Sequence, residues 1–181
     1  MPETALIIID MLNTYDHEDA DLLAESVQEQ LPAMVELRDR ARDDPDTLTV
    51  YVNDNYGAWE AGRPELVERA LAGRRPELVE PIAPRHPVPF VVKGAHSIFY
   101  QTPVDHLLRT HEVKRLVLCG QVTEQCVLYS ALDAYMRGYE LAVPRDAVAH
   151  IFPELGEAAL TMMERNMHAD VGTVAGGMLA G

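Results

Sequence analysis

The chain has 181 residues, with 15 basic against 29 acidic side chains and a formal net charge of -14. That length fits one domain with a full-sized core, expected over residues 1–181, and a composition of 48% hydrophobic and 24% charged residues excludes wholesale disorder. Such negative charge repels phosphate backbones and anionic lipid, which excludes nucleic acid and membrane surfaces as main partners.

The N-terminal MPETALIIIDML carries no basic n-region and no small-residue cleavage site. No apolar run approaches the roughly 20 residues that span a bilayer, so a cytoplasmic location is expected. Two cysteines, Cys119 and Cys126, are too few for a disulfide framework and lack the spacing of redox or zinc pairs. Only two lysines occur, Lys93 and Lys114, so the chain mostly places arginine where a surface cation would do.

Taken in chain order, ALIIID (5–10) opens as a strand. Residues 20–43 follow as a helix, with Leu22, Leu23, Val27, Leu31, Met34, Val35 and Leu37 at helical spacing and Pro32 expected to break or restart it. TLTVYVN (47–53) is the second strand, 64–72 a helix, 73–88 a Pro- and Arg-rich surface loop, and PFVVK (89–93) the third strand. A helix over 103–111, the strand RLVLCG (115–120), and a helix over 124–137 closed by Gly138 come next. YELAVP (139–144), a helix over 154–167 and a weaker strand DVGTVA (170–175) complete the chain. Short β-branched runs alternating with amphipathic stretches are the pattern of β-α-β units, so the fold class is α/β with six strands in a mainly parallel sheet.

Ligands of open parallel sheets sit beyond the carboxyl ends of the strands. Three strand ends carry chemistry: Asp10 after LIII, Lys93 after FVV, and GQVTEQC after LVL. Singly, each has an ordinary reading: Asp10 as a turn cap, Lys93 as a solvated strand end, Cys126 as an inert core thiol. Together they supply a proton acceptor, a cation that favours thiolate and a nucleophile. With a helix starting near Thr123, Cys126 falls among the first unpaired N–H groups, where the helix dipole is expected to lower thiol pKa values to about 3.5–7.5. The same N–H groups could hold an oxyanion.

LIIIDMLNTY, VVKGAHSIFYQTPVDHLLR and LVLCGQVTEQCVLYSALDAYMRGYELAVPRDAV, in this order, resemble the isochorismatase-like cysteine hydrolases, which include nicotinamidases and N-carbamoylsarcosine amidases. The resemblance spans nearly the whole chain. It implies a three-layer sandwich, a six-stranded mainly parallel sheet flanked by helices, bearing a triad of Asp10, Lys93 and Cys126. It also implies a cis peptide between Gln121 and Val122, which would aim the Val122 and Cys126 N–H groups at one oxyanion. The implied reaction cleaves the C–N bond of a small-molecule amide through a thioester, with Asp10 moving the protons and Lys93 stabilising the thiolate. A homo-oligomer, dimer or tetramer, is expected by the same likeness.

The chain departs from the family at several points. Nicotinamidases commonly carry an Asp-x-His metal motif near the end of the second strand, plus a further His, where this chain has Asn53, Asp54 and Asn55. Lacking imidazoles there, it is expected to use no metal and no other cofactor; His86 and His96 are the nearest candidates in sequence, and both are read as loop or capping residues in preference to ligands. The family's DMQNDF reads DMLNTY, with Leu12 and Thr14 making the pocket mouth less polar. Glu124 stands two residues before the cysteine, where its charge suits a helix N-terminus but opposes thiolate formation. Asn53, Asn55, Trp59, Phe99 and Tyr129, at strand ends or one turn past the cysteine, are candidate substrate-binding residues, and Asp146 is read as a loop organiser. Two rival readings are a vinyl-ether hydrolase that needs no cysteine and a non-catalytic binding protein on the same fold.

Overall fold

The computed structural model describes residues 2–85 and 87–179. Six parallel strands form one sheet: β1 (Thr4–Ile9), β2 (Thr47–Asp54), β3 (Phe90–Lys93), β4 (Arg115–Gln121), β5 (Glu140–Ala142) and β6 (Val148–Ala149), in the order β3-β2-β1-β4-β5, with β6 also pairing to β4. The sheet is buried on both faces, which is why β1 reads as an unbroken apolar run rather than an alternation. Its side chains still alternate between two cores. Leu6 and Ile8 pack with Leu23, Val27, Met34 and Leu37 of α1 (Ala20–Asp43) and with α2 (Arg63–Leu71) and α3 (Pro76–Val79). Ala5, Ile7 and Ile9 pack on the other face with α4 (Val104–Thr110), α5 (Leu128–Met136) and α6 (Pro153–Met167). The expected three-layer sandwich with a six-stranded parallel sheet is therefore observed.

Three local expectations need correction. Pro32 does not break α1, which runs uninterrupted from Ala20 to Asp43. The proline lies on the exposed face beside exposed Gln28, so the carbonyl that loses its intrahelical donor belongs to a solvent-facing residue. The sixth strand is the two-residue β6, not DVGTVA: that segment makes only an isolated bridge, Asp170 to Ala142, before a short 3-10 turn at Val174–Gly176. The loop over 73–88 includes the single turn α3, whose Leu78 and Val79 enter the core.

The strand order reverses direction at β1. Chain growth moves outward through β2 and β3 on one side, then restarts with β4 on the other, so the crevice between the β1 and β4 ends is the place for a ligand. Backbone contact is close there. Gly120 pairs with Ile9 at φ +112°, and a Cβ on it would lie 2.1 Å from the Ile9 carbonyl oxygen. No other residue fits that approach.

Candidate active site

Asp10 is the first residue beyond β1 and adopts a left-handed φ of 55°. Its backbone is gripped from both neighbours: its N–H donates to Val52 O at 3.0 Å, and its carbonyl accepts from Gln121 Nε2 at 2.6 Å. The carboxylate is engaged at both oxygens. Oδ1 accepts from the Asp54 N–H at 2.7 Å, and Oδ2 lies 2.8 Å from Lys93 Nζ. Lys93 ends β3 in register with Asp54, its side chain fully buried, and its ammonium also meets Asp54 Oδ2 at 3.3 Å and Cys126 Sγ at 3.6 Å. The three strand-end groups singled out in the sequence thus converge.

Burial pushes the Asp10 carboxyl up, against the pull of Lys93 and of hydrogen bonds from Lys93, Cys126 and Asp54. For Lys93, burial disfavours the charge, but Asp10, Cys126 and Asp54 outweigh it and leave the ammonium raised. Cys126 behaves differently from the expectation of a lowered thiol pKa. Burial first, then the Asp10 carboxylate, push it up, with Lys93 pulling the other way. Desolvation disfavours the charged form of a buried thiol. In this state Cys126 holds its proton.

The segment bearing Cys126 is a π-helical turn, Thr123–Val127, running directly into α5, where an α-helix was expected throughout. The Val122 carbonyl accepts from Gln125 at 3.0 Å and Val127 at 3.1 Å, a pattern that brackets Cys126. The peptide between Gln121 and Val122 is cis, as the sequence resemblance implied. Glu124 Oε1 accepts from the Ile151 and Phe152 N–H groups at 2.9 and 3.0 Å, tying this turn to the loop before α6.

A cavity of about 630 Å³ lies elsewhere, lined by Arg38, Thr49, Tyr51, Pro84 and Pro89 among others. It sits at the amino ends of β2 and β3, remote from all three groups, where α/β sheets do not carry their chemistry.

The family model described as Isochorismatase domain matches residues 4–176. The chain belongs to the isochorismatase family. It is 33% identical over 171 residues to the uncharacterized isochorismatase family protein YaaI of Bacillus subtilis, covering 94% of each chain. It is 29% identical over 164 residues to a maleamate amidohydrolase of Pseudomonas putida, covering 86% of this chain and 76% of that one. Among solved structures, the nicotinamidase SaPncA of Staphylococcus aureus superposes with a TM-score of 0.72 at 26% identity, over 95% of this chain and 98% of that one. The protein is accordingly a hydrolase of this family.

The remaining candidates of this isochorismatase-family chain divide sharply. Asn53 is buried and clamps Leu12, accepting from its N–H at 2.9 Å and donating to its carbonyl at 3.2 Å. Asn55 forms the turn after β2, its Oδ1 accepting from the Gly57 N–H at 2.9 Å. Both therefore shape backbone at the site edge. Phe99 is buried in the second core, stacked on Tyr139 with centroids 6.0 Å apart and covered by Arg137. Trp59 is 80% exposed and leans on Gly94, the residue after Lys93. Tyr129 stands half-exposed at the rim with its ring edge to His96. Asp146 does organise a loop, accepting from the Val174 N–H.

A metal of the nicotinamidase kind does not fit these residues. At the end of β2, Asn53 is bound to Leu12, Asp54 to Lys93 and Asn55 to its own turn, and no cluster of three or more His, Cys, Asp or Glu side chains suited to a metal occurs among the described residues. His86 lies outside the described residues.

Three groups at the site escaped the sequence reading. Asp54 was noted only as a failed metal motif, yet it shares Lys93 with Asp10. Tyr56 is half exposed as a residue, but its hydroxyl end is crowded; desolvation and the charges of Asp10, Asp54 and Cys126 push its pKa up. His96, read from the sequence as a loop or capping residue in preference to a metal ligand, places Nδ1 3.7 Å from Cys126 Sγ. Spacing along the chain carried no signal for any of them, because each depends on where a turn aims its side chain.

Proposed function

We propose that the protein is a metal-independent cysteine hydrolase that cleaves the C–N bond of a small-molecule amide through a thioester on Cys126. The observation that carries this reading is the Lys93 ammonium, 2.8 Å from Asp10 Oδ2 and 3.6 Å from Cys126 Sγ. A cation held between an acid and a thiol stabilises the thiolate without neutralising the base.

In this scheme the resting thiol keeps its proton, and Asp10, whose pKa is already raised, takes it as sulfur attacks the amide carbonyl. The ammonium stays beside the sulfur while charge develops. The carbonyl oxygen is received by the N–H groups of Val122 and Cys126, supported by the π-helical turn in which the Val122 carbonyl bonds residues on either side of Cys126. Asp10 then passes its proton to departing ammonia or amine, leaving a thioester that water cleaves to a carboxylate. Trp59 and Tyr129 frame the entrance as flat, half-apolar walls for a planar substrate. A homo-oligomer acting in the cytoplasm is the setting proposed for this activity.

An amide-library screen reading ammonia release, run with a metal chelator present, tests the proposal. Wild type is expected to release ammonia from at least one small amide, and Cys126→Ala to fall to background. Retention of hydrolysis by Cys126→Ala favours the vinyl-ether type of chemistry and sinks the thioester route.

A further inference from the structure

The acylation half of this scheme uses Asp10, but the geometry points to a different residue, His96, as the base that activates water in the second half. The inference rests on the thioester reading above. After acylation the sulfur carries the acyl group, and the water that attacks it must enter from solvent. Asp10 is 5% exposed, with Oδ1 committed to the Asp54 N–H and Oδ2 to Lys93, so it lies on the closed side of the sulfur. His96 lies on the open side: the residue is exposed while its Nδ1 is 3.7 Å from Sγ.

Its position is fixed rather than incidental. The next residue, Ser97, bonds Asp133 of α5 through its hydroxyl, Ile98 N–H donates to Ser130 Oγ at 3.0 Å, and the imidazole meets the Tyr129 ring edge-on at 5.3 Å. All three anchors belong to α5, the helix that continues from the Cys126 turn. Imidazole and sulfur are therefore held by one rigid element. With Nδ1 3.7 Å from Sγ, a water attacking an acyl carbon bonded to that sulfur can come within hydrogen-bond reach of the ring.

The step balances as follows. Water oxygen bonds to the thioester carbon while His96 takes one of its protons; the tetrahedral intermediate expels sulfur, and the imidazolium returns that proton to it. The products are the carboxylic acid and the free thiol. No oxidant, metal or second substrate enters.

The test uses p-nitrophenyl acetate as an acylating probe that bypasses amide specificity, with the whole chain as His96→Asn and His96→Gln. The expectation is a burst of p-nitrophenolate of wild-type size followed by turnover slowed about 10²-fold, the lower range for loss of a general base. Intact-mass spectra should show one acetyl group persisting on Cys126, and hydroxylamine, a nucleophile that needs no base, should restore release. Deacetylation by both variants as fast as wild type overturns the assignment to His96. So does a lost burst without accumulated acetyl-enzyme, which would place His96 in acylation. Failure of wild type itself to acetylate Cys126, with Cys126→Ala as control, refutes the thioester reading and with it this inference.

Discussion

Replacing Lys93 with methionine removes the buried cation while keeping its apolar stem. The structure sets the magnitude. The Lys93 side chain is fully buried and that of Asp10 only 7% exposed, so the substitution strands a carboxylate that water barely reaches; Asp54, at 22%, is partly solvated and contributes less. Breaking a buried pair by deleting one partner costs about 3–5 kcal/mol, and the upper half applies where the survivor stays charged. Asp10 relieves this by taking a proton. Its pKa, already raised by burial, loses the opposing pull of Lys93 and climbs further.

The linkage sign follows directly. A carboxyl whose folded pKa exceeds its unfolded value near 3.9 contributes stability that is complete below the unfolded pKa and is lost as pH rises through the folded one. The deficit of Lys93→Met relative to wild type should therefore be larger in mildly alkaline buffer than in mildly acidic buffer. Urea unfolding at both pH values measures it, and Asp10→Asn combined with Lys93→Met should recover part of the loss. Equal urea midpoints for wild type and Lys93→Met at both pH values would refute the account of a coupled buried pair.

Because burial and Asp10 hold the Cys126 thiol protonated, iodoacetamide should modify it more slowly at neutral pH than it modifies free cysteine, whose pKa is near 8.5. Lys93→Met should slow the reaction further; a neutral-pH rate above that of free cysteine in wild type would contradict the direction assigned to the thiol. Cys119, whose pKa burial raises to about 12, should resist alkylation altogether in the folded chain, which peptide mapping checks. Gly120→Ala places a methyl 2.1 Å from the Ile9 carbonyl at a φ of +112°, so it should lose at least about 1–3 kcal/mol from backbone strain alone, read as a lower urea midpoint.

The parts of this fold that were legible in the sequence are those written in hydrophobic runs. β1, β2 and β4 are apolar because both faces of a parallel sheet are covered, and their ends point straight to Asp10 and to the Cys126 turn. β6 was invisible because two residues, Val148 and Ala149, make no pattern, while DVGTVA looked strand-like but is held beside residues 141–145 by only a few backbone bonds. Pro32 misled because its cost depends on which face of α1 it occupies. At the site, residue types at strand ends indicated the three converging groups, but the thiol's protonation followed from burial, which no spacing reports. The roles of Asn53, Asp54 and His96 were equally hidden: an amide that clamps Leu12, a second carboxylate on Lys93 and an imidazole beside the sulfur are products of turns folding back.

The most direct measurement is intact-mass spectrometry of the protein quenched during turnover of an amide that it hydrolyses. A sulfur attacking from between Asp10 and Lys93 predicts a transient acyl adduct that maps to Cys126 and vanishes in Cys126→Ala together with ammonia release. Undiminished ammonia release from Cys126→Ala, with no adduct on the wild-type sulfur, would contradict the account at its centre.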